Sequence, residues 1–246
     1  MRVLVVSDIH GNLAALDAVL ADADDFDVVW SLGDVVGYGP QPNECIARLN
    51  AYEHKAIAGN HDWGALGKLD LEDFNIDARR SNLWTREVLA PQSWSYLDAL
   101  PQVLVEGEWT LAHGSPRYPI WEYLIYSSVA KQSFGHFETP FCLVGHTHVP
   151  VIFRDIPDRR DCVAMQPEER SPLPLTEGRY IVNPGSVGQP RDGDPRAAYL
   201  LLDVASPNNV ATIEHRRVSY DVADTQRRIR VAGLPTRNSA RLELGW

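Results

Sequence analysis

Residues 2–12 read Arg-Val-Leu-Val-Val-Ser-Asp-Ile-His-Gly-Asn, and this stretch decides the fold class. Residues 2–7 form a continuous β-branched run, which is typical of a central strand that is buried on both faces. The run ends at Asp8. Asn12 can then cap a helix, because Leu13 and Leu16 begin an apolar pattern with helical spacing. The stretch therefore predicts a strand, a polar turn and a helix, as in α/β proteins.

The same arrangement recurs in the next fifty residues. Strands are predicted at residues 27–31 and 56–58, with a helix opening at Pro42 and Asn43 between them. Each of the three strands runs into a polar cluster: Asp8-Ile9-His10, Gly33-Asp34 and Gly59-Asn60-His61-Asp62. Ligands of α/β sheets bind at the carboxyl ends of strands, where several loops converge. The pattern therefore predicts one site.

The second half of the chain is rich in predicted strands. Two helices are expected over residues 77–100, the second starting at Pro91. Strands follow at residues 103–105, 109–112, 141–144, 149–153, 179–182 and 198–202, and they could form a second sheet. Residues 157–178 predict a long exposed loop or an irregular hairpin, and residues 221–232 a terminal helix capped by Asp221. Either segment could wall a cleft.

Composition limits the class of protein. A chain of 246 residues with 44% hydrophobic and 23% charged residues fits a single domain over residues 1–246. The net charge of −10 disfavours strong general binding to nucleic acid or to anionic membranes. Three cysteines without a C-x-x-C pair, and no apolar run long enough for a signal peptide or a membrane span, predict a cytoplasmic protein.

The C-terminal residues 211–246 contain more arginines than carboxylates. These arginines are Arg216, Arg217, Arg227, Arg228, Arg230, Arg237 and Arg241. They could form a local basic patch, but a solvated helix face is the favoured interpretation.

Two more polar clusters, Ala112-His113-Gly114-Ser115 and Gly145-His146-Thr147-His148, follow later predicted strands. Any one cluster has an ordinary explanation, such as a capping Asp or an Asn in a left-handed turn. Together, five clusters follow five predicted strands and hold five of the eight histidines. This coincidence favours one metal site made of carboxylate and imidazole ligands. For His54, His136 and His215 we expect exposed or hydrogen-bonded side chains without a catalytic role.

The order of these clusters resembles the calcineurin-like metallophosphoesterase superfamily. Segments 8–12, 37–40 and 183–191 are similar to its small prokaryotic phosphodiesterase branch. The resemblance covers nearly the whole chain. It implies an α/β (α+β) fold, a four-layer sandwich of two mixed β-sheets flanked by helices, with a dinuclear metal centre at one end.

The resemblance also implies a role for each site residue. Asp8, His10 and His148 should hold the first metal, Asn60, His113 and His146 the second, and Asp34 should bridge the two. His61 is expected as a catalytic residue just outside the ligands, with Asp62 orienting it. Asn12 and Arg191 are candidate substrate-binding residues, although an ordinary surface ion pair would explain Arg191 equally well.

Oxygen and imidazole ligands without thiolate point to Mn²⁺, with Fe, Zn²⁺, Ni²⁺ or Co²⁺ as alternatives. Two such ions can share a bridging hydroxide that attacks phosphorus in line. A protonated His61 could donate to the leaving oxygen. The expected substrate is a small phosphodiester or phosphomonoester, with a nucleotide as one option.

Two questions stay open at this point. The aromatic residues Tyr118, Trp121, Tyr123 and Tyr126 could stack on a substrate ring, but core packing is the favoured role for most of them. The alternative functions are a phosphoprotein phosphatase and a non-catalytic scaffold ordered by metal. His61 argues against the scaffold, because a structural metal site has no use for an unliganded histidine.

Overall fold

The structure is a computed structural model of the chain and describes residues 1–23, 25–176, 178–204 and 210–246. Its strands are β1 Arg2–Val6, β2 Val28–Ser31, β3 His54–Ala56, β4 Val103–Glu106, β5 Trp109–Ala112, β6 Phe141–Leu143, β7 Val151–Arg154, β8 Val163–Met165, β9 Leu173–Pro174, β10 Tyr180–Asn183, β11 Ala197–Asp203 and β12 Thr212–Val218. Its α-helices are α1 Leu13–Ala23, α2 Pro42–Leu49, α3 Asn60–Leu66, α4 Ile76–Val88, α5 Pro91–Asp98, α6 Ser127–Ser133, α7 Val222–Val231 and α8 Thr236–Leu244.

The strands form two mixed sheets of six. The first sheet has the order β3-β2-β1-β11-β12-β9, in which β1, β2 and β3 are parallel and the later strands are antiparallel. The second has the order β4-β5-β6-β10-β7-β8, with β5, β6 and β10 parallel. The predicted pair of mixed sheets is confirmed.

Side chains alternate between the two faces of each strand, and this alternation builds the layers. On β1, Leu4 and Val6 pack under helices α1, α2 and α5, whereas Val3 and Val5 face the second sheet. The space between the sheets is filled by large side chains, among them Trp30, Trp109, Phe141 and Ile152. The outer face of the second sheet packs against α6. Helices, sheet, sheet and helix are the four layers that the resemblance implied.

The strands from residue 197 onward do not lie where we expected them. β11 joins the first sheet, not the second, and pairs antiparallel with β1, Leu4 lying opposite Leu201. Six of its seven residues are buried, which requires covering layers on both faces and fits the centre of a sheet. The apolar pattern of the sequence indicates a buried strand but does not indicate which of the two sheets the strand joins.

Other differences are local. β3 spans His54–Ala56 and lies two residues before the predicted position. Within residues 157–178, β8 forms a hairpin with β7, and β9 pairs with β12 of the other sheet. This segment therefore touches both sheets and is only partly the loop that we predicted.

Most of the C-terminal arginines have nearby carboxylate partners. On α7, Arg227 and Arg228 pair with Asp224 at exposed positions, which confirms a solvated helix face there. Arg216 and Arg217 lie on β12, a strand that we had not predicted, and pair with Glu214 and Asp192. The basic stretch is thus largely neutralised by local ion pairs.

The described residues include no helix with the length and hydropathy that a bilayer span requires.

The three histidines outside the clusters differ in burial. His54 bonds the Tyr52 carbonyl and the Tyr96 hydroxyl, and His136 is exposed, both as expected. His215 on β12 is buried, against our expectation, in a cavity that Ile152 and Ile213 also line. An alternating strand beside a buried one turns every second residue inward, and His215 occupies such a position.

His215 should make the protein sensitive to acid. Burial and the nearby Arg217 lower the pKa of His215 to about 4, so the unfolded chain binds this proton near pH 6.5 and the folded chain only near pH 4. The contribution of neutral His215 to the free energy of unfolding is therefore fully present above about pH 6.5 and is lost as the pH falls toward 4. In the wild type the free energy of unfolding should fall between pH 7 and 4.5. In His215→Phe we expect this fall to be smaller by about 2 kcal/mol, as measured by urea denaturation. His136→Phe is the exposed control, and an unchanged pH slope in His215→Phe would contradict the prediction.

Candidate metal centre

The polar clusters of both sheets meet at one edge of the sandwich. Asp8 and His10 follow β1, Asp34 follows β2, and Asn60 begins α3 after β3. His113 follows β5, while His146 and His148 follow β6. All seven side chains are buried. The structure therefore brings together every residue for which a metal-ligand role was expected.

The backbone at this edge is strained. Five of these residues have left-handed φ angles between +50° and +66°: Asp8, His10, Asp34, His146 and His148. Such angles cost a residue with a side chain roughly 1–2 kcal/mol. Strain of this kind persists where the surroundings fix it, and it concentrates at functional sites.

Asp8, His10 and His148 form the first group. The Nδ1 atoms of His10 and His148 lie 3.1 Å and 2.6 Å from the carbonyl oxygens of Val36 and Gln189. A carbonyl only accepts, so each Nδ1 carries the proton and each Nε2 presents a lone pair. Yet the two Nε2 atoms are 3.2 Å apart, and His148 Nε2 lies 3.2 Å from Asp8 Oδ1. These electron-rich atoms converge on one point.

Asp34, Asn60, His113 and His146 form the second group. His113 Nδ1 donates to the Leu32 carbonyl at 2.8 Å, which turns Nε2 toward Asn60 Oδ1 at 3.1 Å and Asp34 Oδ2 at 3.4 Å. One ligand atom each of Asp34, His113 and His146 lie within 4.8 Å of one another. Asp34 Oδ2 also lies 3.7 Å from His10 Nε2, so its carboxylate faces both groups.

Each carboxylate uses one oxygen for the protein and leaves the other free. Asp8 Oδ2 accepts hydrogen bonds from Ser7 Oγ and the His146 amide, and Asp34 Oδ1 accepts one from the His61 amide. Asp8 Oδ1, Asp34 Oδ2 and His146 Nε2 are buried, and among the described residues they have no hydrogen-bond partner. Buried polar atoms are rarely left unpaired. This donor set fits divalent cations.

Both carboxylates are ionised. Burial opposes ionisation, but His148 lowers the pKa of Asp8 and His113 lowers that of Asp34. Burial by itself would lower the pKa of His113, but the Asp34 carboxylate raises this pKa to about 9. A cation at the same place would take over the role of that proton, as is usual when metal ligands lose protons on binding.

His61 lies against the two groups and is enclosed by aromatic rings. Its ring lies 4.3 Å from Tyr38, 4.9 Å from His10 and 5.3 Å from Phe74, measured between ring centroids. A methyl group at Gly37, which has φ +90°, would collide with the imidazole. Burial and Arg191 lower the pKa of His61 to about 4. Packing rather than a carboxylate fixes this ring.

Asp62 does not orient His61 as we had expected. Its carboxylate accepts hydrogen bonds from the backbone amides of Asp34 at 2.8 Å, Gly59 at 2.9 Å and Val36 at 3.1 Å. Asp62 therefore fixes the strained turn that carries Asp34. The bond from Gly59 is a local helix cap three residues away, whereas the bonds from Asp34 and Val36 come from a loop that spacing in the sequence does not connect to Asp62.

The two candidate substrate-binding residues lie in different settings. Asn12 is buried, with its amide donating to the Gly188 carbonyl and accepting from Ala15 and Thr225. The structure thus gives Asn12 a capping role, whose hydrogen bonds do not involve the metal-binding groups. Arg191 is half-buried beside the centre, and its backbone amide donates a hydrogen bond to the His148 carbonyl. Its guanidinium lies 5.7 Å from the Tyr38 ring centroid.

The aromatic segment after His113 is largely not core. Tyr118, Tyr123 and Tyr126 are exposed and Trp121 is half-buried, so the favoured core-packing interpretation is wrong for the three tyrosines. The Tyr123 ring lies 3.9 Å from that of His146. Sequence reasoning also missed the roles of Tyr38, whose place beside His61 follows from tertiary structure, and of Ser7, which precedes Asp8 directly and donates to its carboxylate.

Comparison with known proteins shows to which family the chain belongs. Residues 1–207 match the model of the calcineurin-like phosphoesterase superfamily domain. The chain belongs to this superfamily. It is 36% identical to the uncharacterized protein MJ0912 of Methanocaldococcus jannaschii, over 99% of this chain and 98% of the relative. It is 27% identical to phosphodiesterase YfcE of Escherichia coli, over 82% and 88%. A crystal structure of a metallophosphoesterase from Sphaerobacter thermophilus, 45% identical, superposes with a TM-score of 0.90 over 100% of this chain and 99% of the other.

Asp62 should control metal affinity without being a ligand. In Asp62→Asn the amide group would face backbone N–H groups, so the turn that carries Asp34 should loosen. We expect Mn²⁺ affinity to fall by about 10–100-fold, the usual effect of losing a partner behind the ligands. Calorimetric Mn²⁺ titration measures it, with the exposed Asp73→Asn as control. Unchanged affinity in Asp62→Asn would refute this role.

Proposed function

We propose that the protein is a dinuclear metal-dependent phosphoesterase that hydrolyses small phosphodiesters or phosphomonoesters. The observation that carries the proposal is the position of Asp34 Oδ2. This buried oxygen lies 3.7 Å from His10 Nε2 of the first group and 3.4 Å from His113 Nε2 of the second. A carboxylate between two groups of ligands suits two cations better than one.

The proposed ligands follow from this geometry. Asp8, His10 and His148 would hold one ion and Asn60, His113 and His146 the other, with Asp34 shared. Two divalent cations supply activation of water and neutralisation of phosphoryl oxygens. Oxygen and imidazole donors favour Mn²⁺, with Fe, Zn²⁺, Ni²⁺ or Co²⁺ as alternatives. The three cysteines are unpaired thiols, which agrees with the cytoplasmic location that we propose.

Two further side chains would act on the substrate. His61 has a ligand atom within 4.8 Å of those of His10 and Asp34, and because its lowered pKa leaves the ring neutral, we assign it hydrogen-bond donation to the leaving oxygen. Arg191 would attract the phosphoryl group, because its charge lies beside the centre and its Nε has no hydrogen-bond partner among the described residues.

A pair of variants tests this proposal and separates an enzyme from a metal-ordered scaffold. His146→Ala removes a proposed ligand, so metal content and hydrolysis should both be lost. His61→Asn should keep its two metals but lose about 10²–10⁴-fold in kcat. The measurements are metal analysis by mass spectrometry and hydrolysis of a generic diester, a generic monoester and a phosphopeptide with Mn²⁺.

His54→Ala is the matched control, since this histidine lies outside the centre. An active, metal-free His146→Ala would refute the proposed centre. A wild-type protein that binds metal but hydrolyses none of the three substrates would favour the scaffold, and activity on the phosphopeptide alone would favour the phosphoprotein phosphatase.

A further inference from the structure

An unusual surface lies beside the centre. Within nine residues, Tyr118, Tyr123, Ile125 and Tyr126 expose 60%, 45%, 60% and 68% of their surface. Single exposed apolar residues are common in folded proteins, whereas a cluster of them marks a binding site. The cluster follows His113 directly in sequence, so its position next to the centre is set by the fold.

Part of this cluster forms one wall of a cavity of about 320 Å³. Tyr123 and Ile125 line one side, and Val149 and Val151 line another. Gln166, from the segment between β8 and β9, contributes an amide. A volume of this size lies at the lower end of the range for small-molecule sites, which suits one ring and its substituents rather than a chain.

The inner end of the cavity reaches the proposed metal ligands. Thr147, which lines it, stands between His146 and His148 in the sequence. The Tyr123 ring lies tilted against that of His146, with 3.9 Å between ring centroids. Arg191 lines the same cavity and bonds the His148 carbonyl through its backbone amide. A phosphoryl group at the centre would therefore have a cation and an apolar cavity next to it.

We propose that this cavity, which we call the ring cavity, binds a planar aromatic group of the phosphoester substrate. The inference rests on the proposed function, since it places the phosphoryl group at the metal centre. The flat face of Tyr123 and the branched side chains of Ile125, Val149 and Val151 favour a flat apolar group. The Gln166 amide can bond polar atoms at the edge of such a group.

Other organic groups fit less well. A sugar needs several hydrogen-bond partners, yet the Thr147 hydroxyl already accepts from the Asn183 amide. A second, larger cavity lies on the other side of the segment, lined by Trp63, Tyr118 and Trp121. The charged residue that lines it, Glu122, is ion-paired with Arg117, and the described residues that line this cavity include neither a cation nor a proposed metal ligand. Arg191 gives the ring cavity a positive charge, which favours a neighbouring phosphate.

Isothermal titration of the Mn²⁺-loaded protein with phenylphosphonate and methylphosphonate tests the proposal. The two ligands carry the same anionic group and differ only in the ring. Stacking on one aromatic side chain predicts that the wild type binds phenylphosphonate about tenfold more tightly, or better. Tyr123→Ala should lose most of this preference, which is the ratio of two affinities in the same variant, so a change at the neighbouring His146 affects both ligands alike.

Three further variants sharpen the test. Ile125→Ser contacts no proposed metal ligand and should also reduce the preference, whereas Tyr123→Phe should retain it. Tyr126→Ala, an exposed tyrosine of the same segment that does not line the cavity, should match the wild type.

Equal affinities in the wild type, no binding of either ligand, or a preference that survives both Tyr123→Ala and Ile125→Ser would overturn the proposal. Loss of preference in Tyr118→Ala instead would place the ring in the second cavity and would also overturn it. The readout is binding, so a protein that prefers the ring but hydrolyses no ester would refute the proposed function and leave the ring cavity standing.

Discussion

Two buried carboxylates that face imidazole nitrogens impose the constraint on which this structure depends. Asp8 Oδ1 and Asp34 Oδ2 are ionised and buried, and imidazole Nε2 atoms lie 3.2 Å and 3.4 Å from them. Burial of charge costs several kcal/mol per ion even after the protein relaxes, unless an opposite charge compensates it. Such a cluster is stable only if positive charge enters it. A shared proton can serve in part, and divalent cations match the donor atoms better.

The rest of the fold holds these atoms in place against their mutual repulsion. Asp8 and Asp34 come from the first sheet, and His113, His146 and His148 from the second. Each of the two groups takes residues from both sheets, so the distances within a group depend on the packing of the sheets, where the ring centroids of Trp30 and Trp109 lie 6.4 Å apart. Backbone carbonyls fix the rings, and Asp62 fixes the turn of Asp34. A methyl group at Gly59 would collide with the Asp34 carboxylate, so glycine is required there.

Apolar runs in the sequence were sufficient to predict most strands and to group the seven ligand candidates, because each candidate follows a recognisable strand, whereas the layered fold was implied by the family resemblance. The sequence was insufficient for features that depend on the tertiary structure. The position of β11 beside β1, the burial of His215 and the backbone partners of Asp62 all depend on segments far apart in the chain. The exposed tyrosines show a different limit, since aromatic residues are usually buried and only the fold reveals an exception.

The central claim is that two cations complete the buried cluster on either side of Asp34. Anomalous X-ray diffraction from crystals grown with Mn²⁺ tests it most directly. The account predicts two anomalous peaks, one among Asp8, His10 and His148 and one among Asn60, His113 and His146, both in contact with Asp34. A single peak, or peaks that leave the Asp34 carboxylate free, would contradict it.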